Sequence, residues 1–214
     1  EGYQGEDTFL GKRTNTGAKI ANQINYEAFV EKLPNRLKKP SLLTWKTQEE
    51  IQKLVFVYQF SLDEMVEVYQ ASVETNGDVD LQKLAFKAQN YYQTNKKEIP
   101  VVEQSHKNDD KDSEMHYLKT ISPIRIIENY AKQDYQLMST DTVMQLIERN
   151  QVEIGIINVL LLFVLKAKQG VLPNINYLEK VLESWLKKGI RTTEDAYLEV
   201  QNRESTQSKP VYQT

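Results

Sequence analysis

From Asn25 onward the apolar residues recur at helical spacing, whereas the stretch before it is polar and rich in Gly, Thr, Asn and Lys. Phe29, Val30 and Leu33 fall on one face of a short helix, which Pro34 closes because the residue before a proline is driven out of the helical region. Ile51, Leu54, Val55 and Tyr58 continue the pattern, with Thr47 as the expected N-cap and Glu50 as its capping-box partner. Ser61-Leu62-Asp63-Glu64 opens another helix in the same way, turning Leu62, Met65, Val66, Tyr69 and Val73 inward until Asn76-Gly77 stops it. Asp80 then caps a helix that buries Leu81, Leu84, Ala85 and Ala88. Further on, Ser122-Pro123 opens a helix through Ile124, Ile127 and Tyr130. Ile154–Leu165 is apolar apart from Gly155 and Asn158, and is shorter than the roughly 20 residues that span a bilayer. It predicts a buried core helix.

The later pattern repeats the earlier one. A shift of 92 positions sets Thr47 on Ser139, Ile51 on Val143, Leu54 on Leu146, Val55 on Ile147, Phe60 on Val152 and Leu62 on Ile154. A shift of 97 then sets Leu81–Leu84 on Leu178–Val181. Order, caps and apolar spacing agree, so the chain is read as all-α, with two related helical modules over 25–93 and 117–203. Residues 94–116 are charged and nearly free of aromatic side chains, which predicts a flexible linker. Residues 1–24 are expected to be disordered or loosely packed, and 204–214 to be a polar tail.

Composition removes several kinds of chemistry. The chain has no cysteine, which excludes thiolate catalysis, disulfides and Cys-ligated zinc, and fits a reducing compartment. No HExxH, GxSxG, GxGxxG or GxxxxGK[ST] sequence is present. The carboxylate pairs Glu49-Glu50, Asp63-Glu64 and Glu194-Asp195 sit at helix starts, where unpaired backbone amides account for them. His106 and His116 lie ten residues apart in the expected linker, without a partner at ligand spacing. The expectation is therefore a protein without catalytic residues, metal or cofactor. Net charge is −3, with the acidity concentrated in 99–116, so any basic surface must be local. The chain opens on Glu1 rather than methionine and is expected to be part of a longer protein, whose missing terminus could hold targeting signals or a further domain.

The segment Tyr177–Asp195 carries the most chemistry. Leu178, Val181, Leu182, Trp185 and Leu186 make the stripe of an amphipathic helix, with Gly189 at its C-terminal cap. Thr192 or Thr193 starts a final helix. Tyr177, Val181 and Trp185 at i, i+4 and i+8 line one edge, followed by Lys187, Lys188 and Arg191. Lys180 lies seven residues before Lys187, and Lys166 and Lys168 end the preceding apolar run. One reading makes the aromatic residues core and the lysines solubilising. The other makes them an exposed edge beside cations, able to stack a base and hold phosphates. Both remain open on the residues alone.

This pattern resembles the DnaD/DnaB-type helicase-loading proteins of low-GC Gram-positive bacteria, and within them the primosomal branch known for replication initiation and membrane attachment. The likeness spans roughly residues 25–202, and the family's Y-x-x-x-I-x-x-x-W pattern falls on Tyr177, Val181 and Trp185, with valine for isoleucine. In the first module Asp80, Leu84 and Ala88 stand at those positions. The resemblance implies a non-enzymatic adaptor of the primosome that binds DNA, single-stranded and also duplex, self-associates, and helps recruit and load the replicative helicase. Tyr177, Lys180, Trp185, Lys187, Lys188 and Arg191 are the expected DNA-binding residues, with the first module serving protein contacts. It also implies a cytoplasmic, nucleoid-associated protein whose full-length form attaches peripherally to membrane, a property not expected of this chain alone. The alternative is an oligomerising scaffold with little direct DNA binding.

Overall fold

The computed structural model describes residues 18, 20, 23–73, 77–95 and 111–207. Every regular element among them is helical, in two compact units.

In the first unit, α1 (Tyr26–Lys32), α2 (Trp45–Tyr58), α3 (Leu62–Ser72) and α4 (Leu81–Thr94) surround a core that includes Phe29, Leu37, Ile51, Leu54, Met65, Tyr69 and Leu84. A 3₁₀ turn, Asn35–Leu37, follows α1. The expected starts hold at Ser61 and Asp80, and Asn25 caps α1. Ser61 and Glu64 make a full capping box, and the Asp80 carboxylate accepts from the amides of Gln82 and Lys83. The start of α2 differs from expectation. Thr44 is its cap, accepting from the Thr47 amide, and Thr47 is a buried first-turn residue. Beginning one turn early lets α2 bury Thr47 and Gln48 along with its apolar face.

Gln52, also buried, accepts from the amides of Gln23 and Ile24 at 2.7 and 3.2 Å and donates to the Ile24 carbonyl at 3.0 Å. Residues 23 and 24, expected to be loose, are thus tied to α2. Residues 1–17, 19 and 21–22 lie outside the described residues, as do 74–76 at the expected stop of α3.

The second unit is built on α8 (Ile154–Ala167), which is buried over nearly its whole length. Around it lie α5 (Lys111–Thr120), α6 (Pro123–Tyr130), α7 (Gln136–Arg149), α9 (Ile175–Lys187) and α10 (Thr193–Gln207), with a 3₁₀ turn at Gln133–Tyr135. Three residues at the start of α8 set its neighbours. The Glu153 carboxylate accepts from both the amide and the hydroxyl of Thr193 at 3.0 Å, which seats the start of α10. Gly155 makes room for this, since a Cβ there would lie 2.1 Å from the Thr193 hydroxyl. Asn158, wholly buried, donates to the carbonyls of Leu118 and Ile121, both at 2.8 Å, satisfying the last turn of α5.

The helix α5 corrects the linker assignment. Residues 111–116, placed in a flexible linker, are helical, and His116 is an exposed side chain of α5. Their charged composition hid the tertiary anchors: Leu118 is buried, Lys119 pairs with Glu194 at 2.9 Å, and Tyr197 donates to Glu114. Residues 96–110, including His106, lie outside the described residues. The last helix likewise runs past the expected module end, to Gln207. Ala18 is buried in this unit, its amide 2.8 Å from the Ile147 carbonyl.

Replacing Gly155 with alanine sets two effects against each other. Helix propensity gains about 1 kcal/mol, while crowding a rigid β-branched neighbour costs about 1–3 kcal/mol. Because the added carbon would also lie within 3 Å of the Thr193 Cβ, rotation of the threonine does not relieve it. Gly155→Ala is expected to lower the melting temperature followed by circular dichroism; an unchanged or raised value would contradict this packing.

Candidate nucleic-acid interface

The six expected DNA-binding residues come from α9 and the turn after it, and the structure treats them differently. Asn174 caps α9 by accepting from the Tyr177 amide, and Leu178, Leu182 and Trp185 form its buried face. Trp185 is completely buried, its ring 6.3 Å from that of Phe163. Tyr177 is 42 % exposed. The expected shared edge therefore does not exist. Eight residues on an α-helix leave a rotation of about 80°, enough to carry one ring outside and the other into the core. Trp185 holds α9 in place and offers no face to a base.

The cations divide in the same way. Lys187 pairs with Glu183 at 2.8 Å, and Lys188 with Glu199 at 2.6 Å; Glu199 also receives Arg203 at 2.8 Å. These neighbours hold the Glu183 and Glu199 carboxyls below the usual carboxylate range. The Arg191 guanidinium donates to the carbonyls of Leu186 and Ile190 at 2.6 and 3.1 Å, closing the C-terminal end of α9. Asp195 and Thr192 form a reciprocal cap at the start of α10. The Asp195 carboxylate accepts from the amides of Arg191 and Thr192, and the Thr192 hydroxyl accepts from the Asp195 amide. Thr192 is therefore the cap left undecided between two threonines. Much of the expected positive cluster is balanced at close range.

A different set of cations lacks such partners. Lys132, Lys166, Lys168 and Lys180 are exposed, and none pairs with a carboxylate among the described residues. Lys168 Nζ stands 5.6 Å from the centre of the Tyr177 ring, and Lys166 Nζ 5.9 Å from that of Tyr130, itself 41 % exposed. One backbone bond brings these groups together, from the Lys132 amide to the Gly170 carbonyl at 2.9 Å. Gly170 has φ +83°, and a Cβ there would lie 3.0 Å from the Tyr130 carbonyl, so the turn after α8 can approach the end of α6 only with glycine. Tyr130 and Lys132 from one segment thus meet Lys166, Lys168 and Tyr177 from another.

The first unit has an aromatic–basic segment that the sequence reading passed over. Arg36, Lys38, Lys39 and Lys46 occur between residues 35 and 46 without an acidic side chain, and Trp45 beside them is 45 % exposed. The signal was available as a charge run. Its residues fall in the connection before α2, outside the third-helix segment that carries the family pattern.

No group of three or more His, Asp or Glu side chains among the described residues could hold a metal ion, and no helix among them is long and apolar enough to cross a membrane.

Residues 124–199 match the family described as "Replication initiation and membrane attachment". The matched segment runs from α6 through the first turns of α10 and contains all six expected site residues. Over these residues the chain is similar to the DnaD/DnaB-type proteins. It is also 23 % identical over 197 residues to the "Replicative helicase loading/DNA remodeling protein DnaB" of Staphylococcus aureus, covering 85 % of this chain and 42 % of that protein. No solved structure matches the chain at a significant level.

Two outcomes follow from this geometry. Trp185→Ala removes a completely buried indole and is expected to cost about 3–5 kcal/mol, read as a large fall in urea midpoint; a near-normal midpoint would contradict burial. The second concerns pH. Asp195 is held below its ordinary range by the amide of Arg191 and the hydroxyl and amide of Thr192. A depressed carboxylate pKa contributes stability above the unfolded value, near 4, and loses it as pH falls through the folded value. Acidification below pH 4 should therefore fray the start of α10, seen as lower amide protection at 191–196, and Asp195→Ala, which removes the acceptor, should already show that fraying at pH 7. Equal protection in the variant at pH 7 would contradict the cap.

Proposed function

We propose that this chain is part of a primosomal adaptor, without catalytic chemistry of its own, that binds DNA and partner proteins during loading of the replicative helicase. The observation that carries the DNA-binding part is the exposed Tyr177 ring with Lys168 above it, in a domain of the replication-initiation family. Tyr177 supplies a stacking face, and Lys180, Lys168, Lys166 and Lys132 supply charge with no carboxylate partner among the described residues to displace. Lys187 contributes by exchanging its exposed partner Glu183 for a phosphate, an exchange of small net cost because exposed ion pairs are weak, whereas Lys188 is held by the part-buried Glu199. Arg191 and Trp185 position α9. Because the chain spans 42 % of the staphylococcal protein, helicase recruitment and membrane attachment are proposed for the whole protein rather than derived from these residues.

We also propose that the two units are related copies, joined through the region outside the described residues. In each, a short helix and a 3₁₀ turn precede longer helices, three in the first unit and four in the second. Ile51, Leu54 and Met65 are buried in the first unit as Val143, Leu146 and Ile157 are in the second, each 92 positions on. For the third helix the caps Asp80 and Asn174 and the buried pairs Leu84–Ala88 and Leu178–Leu182 are 94 apart, not 97. On that register Tyr91, rather than Ala88, corresponds to Trp185.

A second reading, a scaffold with little DNA binding, is favoured by one feature. Leu137 and Met138 at the start of α7 are 52 and 69 % exposed, next to Tyr135 at 42 %. Such a patch suits association with another protein surface.

Fluorescence anisotropy of labelled DNA with the 214-residue chain separates the readings. Binding should weaken steeply with salt. Lys166→Ala/Lys168→Ala/Lys180→Ala should lower affinity more than Lys187→Ala/Lys188→Ala, because among the described residues only the latter pair forms ion pairs with carboxylates. The absence of binding at low salt, with self-association by sedimentation, would favour the scaffold.

A further inference from the structure

The connection between α1 and α2 has the properties of a fixed platform. Leu37 and Leu42 anchor it, at 1 and 2 % exposure. The Tyr69 hydroxyl donates to the Leu42 carbonyl at 3.3 Å, and Lys38 Nζ donates to the Glu31 carbonyl at 2.9 Å. From this platform Arg36, Lys39 and Lys46 project into solvent, and none pairs with a carboxylate among the described residues. Of the acidic residues that follow on α2, Glu50 is joined to Lys53 at 2.6 Å and Glu49 is half-buried. Trp45, the first residue of α2, is 45 % exposed, with Lys46 Nζ 5.7 Å from the centre of its ring.

Cations with no carboxylate partner among the described residues, set around one half-exposed indole, can neutralise successive phosphates while a base stacks on the ring. A lipid surface is a poorer match, because a helix or loop lying on a bilayer inserts an apolar face, and here Leu37 and Leu42 are turned into the core, leaving Trp45 alone. We propose that residues 36–46 form a single-stranded nucleic-acid contact of the first unit, in which Arg36, Lys39 and Lys46 hold backbone phosphates and Trp45 stacks on a base. The proposal rests on the DNA-binding reading above and departs from the expectation that the first module mainly serves self-association or another protein contact.

The two tryptophans allow a direct test with the intact 214-residue chain. Trp185 is fully buried, so a stacking base can quench only Trp45. An oligothymidylate of about 20 nucleotides exceeds the site of a single-strand-binding fold. On titration with it at low salt, tryptophan emission should fall with the same midpoint as the rise in DNA anisotropy. Trp45→Phe should still bind while losing the quench. Arg36→Ala/Lys39→Ala/Lys46→Ala should weaken binding by about tenfold or more and reduce the slope of log affinity against log salt by about 2, since each single-strand phosphate contributes about 0.7. A rise in anisotropy with unchanged emission and an unaltered slope in the triple variant would overturn this contact and leave DNA binding by the second unit standing. Blue-shifted, stronger emission on phosphatidylglycerol vesicles, with no quench by DNA, would assign the platform to lipid and overturn it as well. No anisotropy change at all would sink the DNA-binding reading and this contact with it.

Discussion

The second unit depends on how an almost wholly apolar helix is held among its neighbours. Hydrophobic burial gives α8 a place in the core but no fixed rotation, since nearly all its faces are apolar. The polar groups at its start supply direction. Asn158 is bonded to the end of α5 and Glu153 to the start of α10, and Gly155 lets α10 approach closely. Buried polar groups are costly when unmatched, so alternative rotations of α8 are penalised by the hydrogen bonds they would break.

The surface follows from that arrangement. Leu178, Leu182 and Trp185 seat α9 in the core, and helical geometry then turns Tyr177 toward solvent. The turn after α8, held at Gly170 against Lys132, places Lys166 and Lys168 beside the exposed rings. Formal charge is a poor guide to which cations are available for a polyanion. Lys187, Lys188 and Arg191 form the denser run in sequence, yet each is engaged by a carboxylate or a helix carbonyl.

Much of the fold was legible because its signals are local. The caps at Ser61 and Asp80, the proline at the start of α6 and the apolar run of α8 each act within a turn or two of their own position. What failed depended on distant partners. The helix α5 is polar by composition and is fixed by Asn158, Glu194 and Tyr197, none of them near it in sequence. Trp185 belonged to a correctly identified helix, but i+8 spacing was treated as a shared face although it drifts by about 80°. The site was accordingly legible as a segment and not as a surface. Tyr177 and Lys180 lie outward, whereas which lysines were already paired required Glu183 and Glu199 to be placed in space.

The central proposal is that DNA meets this chain where exposed rings stand beside cations that have no carboxylate partner among the described residues. Hydrogen–deuterium exchange of the intact chain, with and without a single-stranded oligonucleotide, tests it most directly. The account predicts slowed exchange at 166–180 and at 36–46, with the buried middle of α8 unchanged. Protection confined to 187–191, or absent from both predicted segments while DNA is bound, would contradict it.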